Sequence, residues 1–204
     1  MTATSATIIK KSLALLSKQG GPVRLTDALR LGIHRDTMWA MRDQGLLEHV
    51  SRGLYRPADA EPLADQDLIV VSKRVPGGVV CLLSALAFHD LTTQIPHEVH
   101  LALRRGRRRP RVEHPPVKVY WWTDPAIEQG VDKHLMSGVE VLITSAERSV
   151  ADAFRYRKQL GVDLAVESLR AWRARRGSRP DALLKAARIV RVETVITPYL
   201  QAVL

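Results

Sequence analysis

Ile33-His-Arg-Asp-Thr-Met-Trp-Ala-Met-Arg-Asp-Gln44, held between Gly32 and Gly45, decides how the first part of the chain is read. On a helix, Ile33, Met38 and Met41 fall on one side, while Arg35, Asp36, Trp39, Arg42 and Asp43 fall on the other. One face is therefore built for a core and the other carries charge and an indole. Upstream, Ile8, Ile9, Leu13, Leu15 and Leu16 recur at helical spacing between Ala6 and Lys18, and Gly20-Gly21-Pro22 ends that run. A short helix follows over Asp27–Leu31, with Thr26 as its expected N-cap and Gly32 as its stop. Downstream the period changes to that of extended chain: Leu46–Val50 and Leu54–Arg56 flank Ser51-Arg52-Gly53, a hairpin with a basic tip. Three helices and a two-stranded ribbon in that order define a winged helix-turn-helix over residues 1–60.

Pro57-Ala-Asp-Ala-Glu-Pro62 interrupts the periodicity and sets the expected boundary to a larger domain over residues 61–204. There Asp65–Val75 and Leu82–His89 read as helices, and Glu98–Leu103, Val117–Trp122 and Val139–Ile143 as strands. A helical section begins at Ser145–Arg157 and continues with helices near 163–174 and 181–195 and a tail beyond Pro198. The expected fold class is mixed α/β: a winged helix-turn-helix followed by a larger α+β domain with a helical C-terminus.

The chain has 204 residues, 46% of them hydrophobic, which suffices for a packed core. Its 31 Lys+Arg outweigh 21 Asp+Glu to give a net charge of +10, which favours a polyanionic partner such as nucleic acid. The excess divides as +4 over residues 1–60, +2 over 61–115 and +4 over 116–204, so placement rather than total must locate a binding surface. Cys81 is the only cysteine, leaving no intrachain disulfide and no multi-cysteine metal site. Neither a signal-peptide pattern nor a long apolar run is present, so a cytoplasmic chain with no membrane partner is expected.

In helix-turn-helix docking the N-terminal residues of the second helix meet base edges in the major groove. The corresponding candidates are His34, Arg35, Asp36 and Trp39, with Arg42 two turns along facing a phosphate and Ser51 and Arg52 at the hairpin tip. The run Arg104-Arg-Gly-Arg-Arg-Arg-Pro-Arg111 places Arg104, Arg105, Arg107, Arg108, Arg109 and Arg111 in one loop; their repulsion is relieved by solvent or by phosphate. Thr144 and Glu147 have capping-box spacing, and Arg148 and Asp152 stand four apart on one helix face, either as a structural ion pair or as a site for an acidic partner. His97 and His100 are spaced i, i+3 after Pro96 and run into a strand, which is not the geometry of a zinc helix. With GxxxxGK[ST], GxSxG and GxGxxG also absent, no metal, cofactor or catalytic residue is expected.

Arg52-Gly-Leu-Tyr55, Ser84-Ala-Leu-Ala-Phe-His-Asp-Leu91, the His97–Leu103 strand and Thr144-Ser-Ala-Glu-Arg-Ser-Val-Ala-Asp152 together resemble the AbiEi antitoxin family of bacterial abortive-infection toxin–antitoxin systems, over residues 5–155. The resemblance implies a winged-helix domain that represses the protein's own operon and a C-terminal domain that neutralises a nucleotidyltransferase-like toxin, AbiEii. The expected function is thus a sequence-specific autorepressor of its own promoter on double-stranded DNA, combined with an antitoxin. The competing readings are an enzyme on nucleic acid or protein targeted by the winged module, and an RNA-binding module, for which no aromatic stacking platform is evident. The oligomeric state is left open, since a dimer on an inverted repeat and a monomer on repeated sites are both allowed.

Overall fold

A computed structural model describes residues 3–60, 63 and 65–203, with side chains from residue 6 onward. They form a mixed α/β protein with two sheets. The residues fall into two compact units, one drawn from Met1–Lys73 and Leu135–Glu140, the other from Arg74–His134 and Val141–Leu204. Part of the expected boundary, Glu61 and Pro62, lies outside the described residues.

The first unit opens with α1 (Ala3–Ser17), β1 (Val23–Arg24), α2 (Leu25–Arg30) and α3 (Arg35–Asp43), followed by β2 (Leu47–Ser51) and β3 (Leu54–Pro57). Ile9, Leu16, Ala28, Ile33, Met38, Met41, Leu47 and Tyr55 make one core, so the apolar face read on α3 is the buried one. The three strands pair antiparallel in the order β1-β3-β2. Sequence gives no sign of β1: two residues after a Gly-Gly-Pro stop carry no periodicity, and only pairing with Leu54 and Tyr55 defines the strand. Helix α2 starts earlier than expected, so Thr26 lies inside it and Arg24 is the N-cap, with no side-chain capping bond. The turn at Gly32 uses φ +81°, a conformation that costs glycine least.

In the second unit, the sheet order is β6-β5-β4-β8-β7, with β4 (Val79–Val80), β5 (Val99–Arg104), β6 (Val117–Trp122), β7 (Val131–Met136) and β8 (Val139–Thr144). Strand β5 runs antiparallel to β4 and parallel to β6, and β4 runs parallel to β8. Helix α4 (Gln66–Arg74), which falls in the first unit up to Lys73, precedes these strands, while α5 (Leu82–Phe88) and α6 (Asp124–Glu128) are interleaved with them. β4, β7 and α6 have no readable sequence pattern, being either too short for a period or, in Val131–Met136, alternating around charged and His side chains.

The C-terminal section holds α7 (Ala146–Arg155), α8 (Arg157–Leu160), α9 (Val162–Ala174), α10 (Pro180–Ile189) and α11 (Glu193–Val203). α7 is buried from Arg148 to Phe154 and packs against α5, α9 and α10 in a core that includes Phe154, Leu169, Trp172 and Leu183. Two expectations are corrected here. The single helix over 181–195 breaks at Arg191, whose φ of +57° ends α10 and lets α11 start at Glu193. Pro198 then sits inside α11 rather than opening a tail, and the preceding Thr197 hydroxyl donates to the Glu193 carbonyl at 2.7 Å. Among the described residues no helix is long and apolar enough to cross a membrane.

One buried base links this fold to pH. His100 on β5 is 4% exposed and its Nδ1 lies 3.2 Å from the Tyr120 hydroxyl. Burial pushes its imidazole down to about 4; nearby Lys118 adds to this and Glu98 opposes it. The unfolded chain takes up this proton near pH 6.5 and the folded chain only near 4, so acidification through that window favours unfolding. From pH 7 to 4 the contribution of His100 to stability in denaturant titrations should therefore fall by up to about 3 kcal/mol. His100→Gln should flatten that slope, and an unchanged slope would remove His100 as its source.

Candidate nucleic-acid interface

His34 is the extended N-cap of α3 (φ −64°, ψ 148°), and the exposed Arg35 is the first residue of the helix proper. Arg35 makes no hydrogen bond or ion pair among the described residues. Asp36 stands beside it in the first turn, where the positive end of the helix favours a carboxylate. One turn further, the half-buried Trp39 meets the edge of Tyr55 on β3 at 6.0 Å between ring centroids and 69° between planes. Trp39 is thus fastened to the sheet. The Arg42 guanidinium lies 4.9 Å over the Trp39 ring, and its Nε and Nη2 both donate to Asp43 Oδ1, at 2.9 and 2.7 Å. This holds the cation in one orientation and offsets part of its charge.

In the hairpin, Arg52 is exposed beside Gly53 (φ +70°), whereas Ser51 ends β2 and is buried. Of the two tip candidates, Arg52 is the one at the surface. Behind the tip, Arg56 and Glu48 are cross-strand partners and pair at 2.6 Å.

The arginine run does not behave as six equivalent solvated charges. Arg104 bridges Asp124 at 3.0 Å and Glu128 at 2.6 Å. Arg107 donates to the Pro76 carbonyl at 2.8 Å, and its own carbonyl accepts from Trp121 Nε1 at 3.2 Å. Arg105, Arg108, Arg109 and Arg111 are exposed. Sequence supplies the density of charge here; the acidic partners lie 20 and 24 residues away and no local pattern announces them.

Arg148 and Asp152 are 1% and 0% exposed, so both members of the ion pair are shut off from solvent. Nε of Arg148 donates to Asp152 Oδ2 at 3.0 Å, Nη1 to the Gln129 carbonyl at 2.6 Å and Nη2 to the Ala126 carbonyl at 2.8 Å. The guanidinium also lies 4.8 Å over the Trp122 ring. Burial pushes the Asp152 carboxyl up to about 6 against the opposing pull of Arg148. The expected Thr144–Glu147 capping box does not form, and the cap falls one residue later. Ser145 is the N-cap and accepts from the Arg148 N–H, Thr144 is buried with its hydroxyl 2.8 Å from that of Ser149, and Glu147 accepts from Trp172 Nε1. His97 is exposed while His100 is buried, and no metal-holding group of three or more His, Cys, Asp and Glu occurs among the described residues.

Short helices packed on a small antiparallel sheet, with one charged helix face left exposed, form the segment that the family comparison picks out. Residues 10–58 match the family described as transcriptional regulator, AbiEi antitoxin. No curated protein matches the chain. A solved structure, the RV2827C protein from Mycobacterium tuberculosis, superposes with a TM-score of 0.53 at 15% identity, over 98% of this chain and 82% of that one. That likeness is one of fold.

Removing one member of a buried pair strands a charge, at a cost of about 3–5 kcal/mol. Arg148→Ala and Asp152→Ala should each show that loss in urea unfolding, whereas the double variant Arg148→Met/Asp152→Leu should lose distinctly less. Equal losses in all three would mean that stranded charge is not the cause.

Proposed function

We propose that the chain is a sequence-specific DNA-binding autorepressor that also serves as an antitoxin against a nucleotidyltransferase-like toxin. The observation that carries the reading is the exposed face of α3, within the segment matching the AbiEi regulators. Residues 1–60 act as a winged helix-turn-helix, with α2 and α3 as the pair, the β2–β3 hairpin as the wing, and residues 61–204 as the antitoxin-type domain. Arg35 reads a guanine through O6 and N7, a contact worth about 1–3 kcal/mol of discrimination. His34 and Asp36 flank it at the helix start, where docked helices approach the base edges. Trp39 braces the helix against Tyr55, Arg42 faces a phosphate, and Arg52 follows the backbone or the minor groove from the wing. In the 104–111 loop, Arg108, Arg109 and Arg111 supply further phosphate contacts. The protein acts in the cytoplasm on its own promoter as a regulator rather than an enzyme.

Gel shifts at physiological salt, with the chain's own upstream DNA against unrelated DNA and RNA of equal length, test the repressor reading; equal affinity for all three defeats it. Arg35→Ala should weaken specific binding about tenfold without lowering the melting temperature. Neutralising Arg108, Arg109 and Arg111 should reduce the salt slope by about 0.9 for each phosphate no longer neutralised, and an unchanged slope takes the loop out of the interface. Co-expression with a nucleotidyltransferase encoded beside this gene should restore growth, and continued growth arrest defeats the antitoxin half.

A further inference from the structure

Arg104, Arg105 and Arg107 border a cavity of about 600 Å³ in the second unit. Its floor is aliphatic, made by Val79, Ile127 and Leu142 from three different elements. The mouth is polar. Arg107 is held in place at both ends: its Nη1 is fixed on the Pro76 carbonyl, and its main chain is fixed by Trp121. Gly77, beside that guanidinium, takes φ +74°, a conformation that costs glycine least. Arg105 continues the sheet through its N–H, which donates to the Trp122 carbonyl at 2.7 Å, while its guanidinium has no hydrogen bond among the described residues. Glu128 gives one carboxylate oxygen to Arg104. Its other oxygen remains an acceptor at the cavity edge.

We infer that this cavity binds a free nucleoside phosphate, with the base on the Val79–Ile127–Leu142 floor and the phosphate on Arg105 and Arg107. The volume is that of a small-molecule site and far exceeds a single phosphate, which would leave the floor uncovered. Aliphatic side chains under a flat ring, guanidinium forks for phosphate and one carboxylate for a ribose hydroxyl or exocyclic amine match the three parts of such a ligand. A base stacked within a duplex cannot enter without being extruded, which costs a few kcal/mol and favours the free nucleotide. The partners of Arg104 explain why it is not the phosphate ligand: Asp124 and Glu128 already offset it. The inference is independent of the DNA-reading role of α3, so either can fail alone.

Titration calorimetry on the full chain at physiological salt, with AMP, UMP, ribose 5-phosphate and inorganic phosphate, tests it. One or both nucleotides should bind at least about tenfold more tightly than ribose 5-phosphate or phosphate, because only they cover the floor. Leu142→Trp, which fills the floor, and Arg105→Gln, an exposed change that leaves the core untouched, should each weaken nucleotide binding about tenfold. Circular dichroism and melting temperature check that the variants fold. The inference is overturned by three results: no saturable nucleotide binding at millimolar concentration, equal affinity for all four ligands, or nucleotide binding that Arg105→Gln leaves unchanged. If Arg105→Gln weakens only binding to a DNA duplex, its phosphate comes from nucleic acid and the inference falls.

Discussion

One buried guanidinium organises the second unit. Arg148 gives its donors to Asp152 on its own helix and to the carbonyls of Ala126 and Gln129 at the end of α6, while its plane faces Trp122 on β6. The last carbonyls of a helix have no partner within it, and in a five-residue helix they are most of the helix. Arg148 supplies what α6 cannot supply for itself. The chain then turns at Gly130 (φ +67°), where a Cβ would stand 3.1 Å from the Arg148 Cβ, so both the backbone conformation and the close passage of helix and turn favour glycine. Burying the charge is unfavourable, and that cost is offset by an acceptor on each guanidinium nitrogen and the Trp122 ring against its plane. Ile127 and Glu128, which shape the cavity, owe their position to that arrangement.

The same matching of cations to carbonyls explains much of the basic C-terminal region. Arg155 donates to the Val190 carbonyl at 3.0 Å, which closes α10 against α7, and Arg157 donates to the Phe154 carbonyl at 2.8 Å at the end of α7. Arg173 and Ser178 bond each other across the turn after α9. Cations at helix C-termini answer both the orphan carbonyls and the negative end of the helix. Counting residues 116–204 as +4 therefore says little about a polyanion, since several of those charges are engaged inside the fold.

What is legible in the sequence follows from the range of the interactions. The apolar stripe of α3 repeats every turn, so spacing alone assigns Ile33, Met38 and Met41 to the core. The hairpin is readable from Arg52-Gly53 between extended runs, because turn chemistry is local. β1 and β4, two residues each, exist only through their partners in Tyr55 and Leu101, and such pairing leaves no mark on the strand itself. The Arg148–Asp152 pair is visible as an i, i+4 spacing; its burial is not, because that depends on Ala126 and Gln129 three elements earlier. At Pro198 a sound local rule loses to context: as the sixth residue of α11 it forgoes one bond to the Thr194 carbonyl, yet the helix runs on to Val203 with Ile196 and Leu200 anchored in the core.

Charge density and charge availability are separate properties, and the two arginine-bearing surfaces differ in the second. On α3, Arg35 is exposed without a partner among the described residues, while Arg42 is stacked on Trp39 and paired with Asp43, so one cation is open and its neighbour is pre-set. In the 104–111 loop, Arg104 and Arg107 are engaged by the fold, and the engagement fixes the main chain from which Arg105 projects. Fixing a loop in advance lowers the entropy lost when an anion binds, so a guanidinium on a fixed main chain is a better receptor than one on a mobile loop. A net charge of +10 acts on a polyanion from a distance, whereas a contact at close range needs a cation that the fold holds in place and leaves unsatisfied.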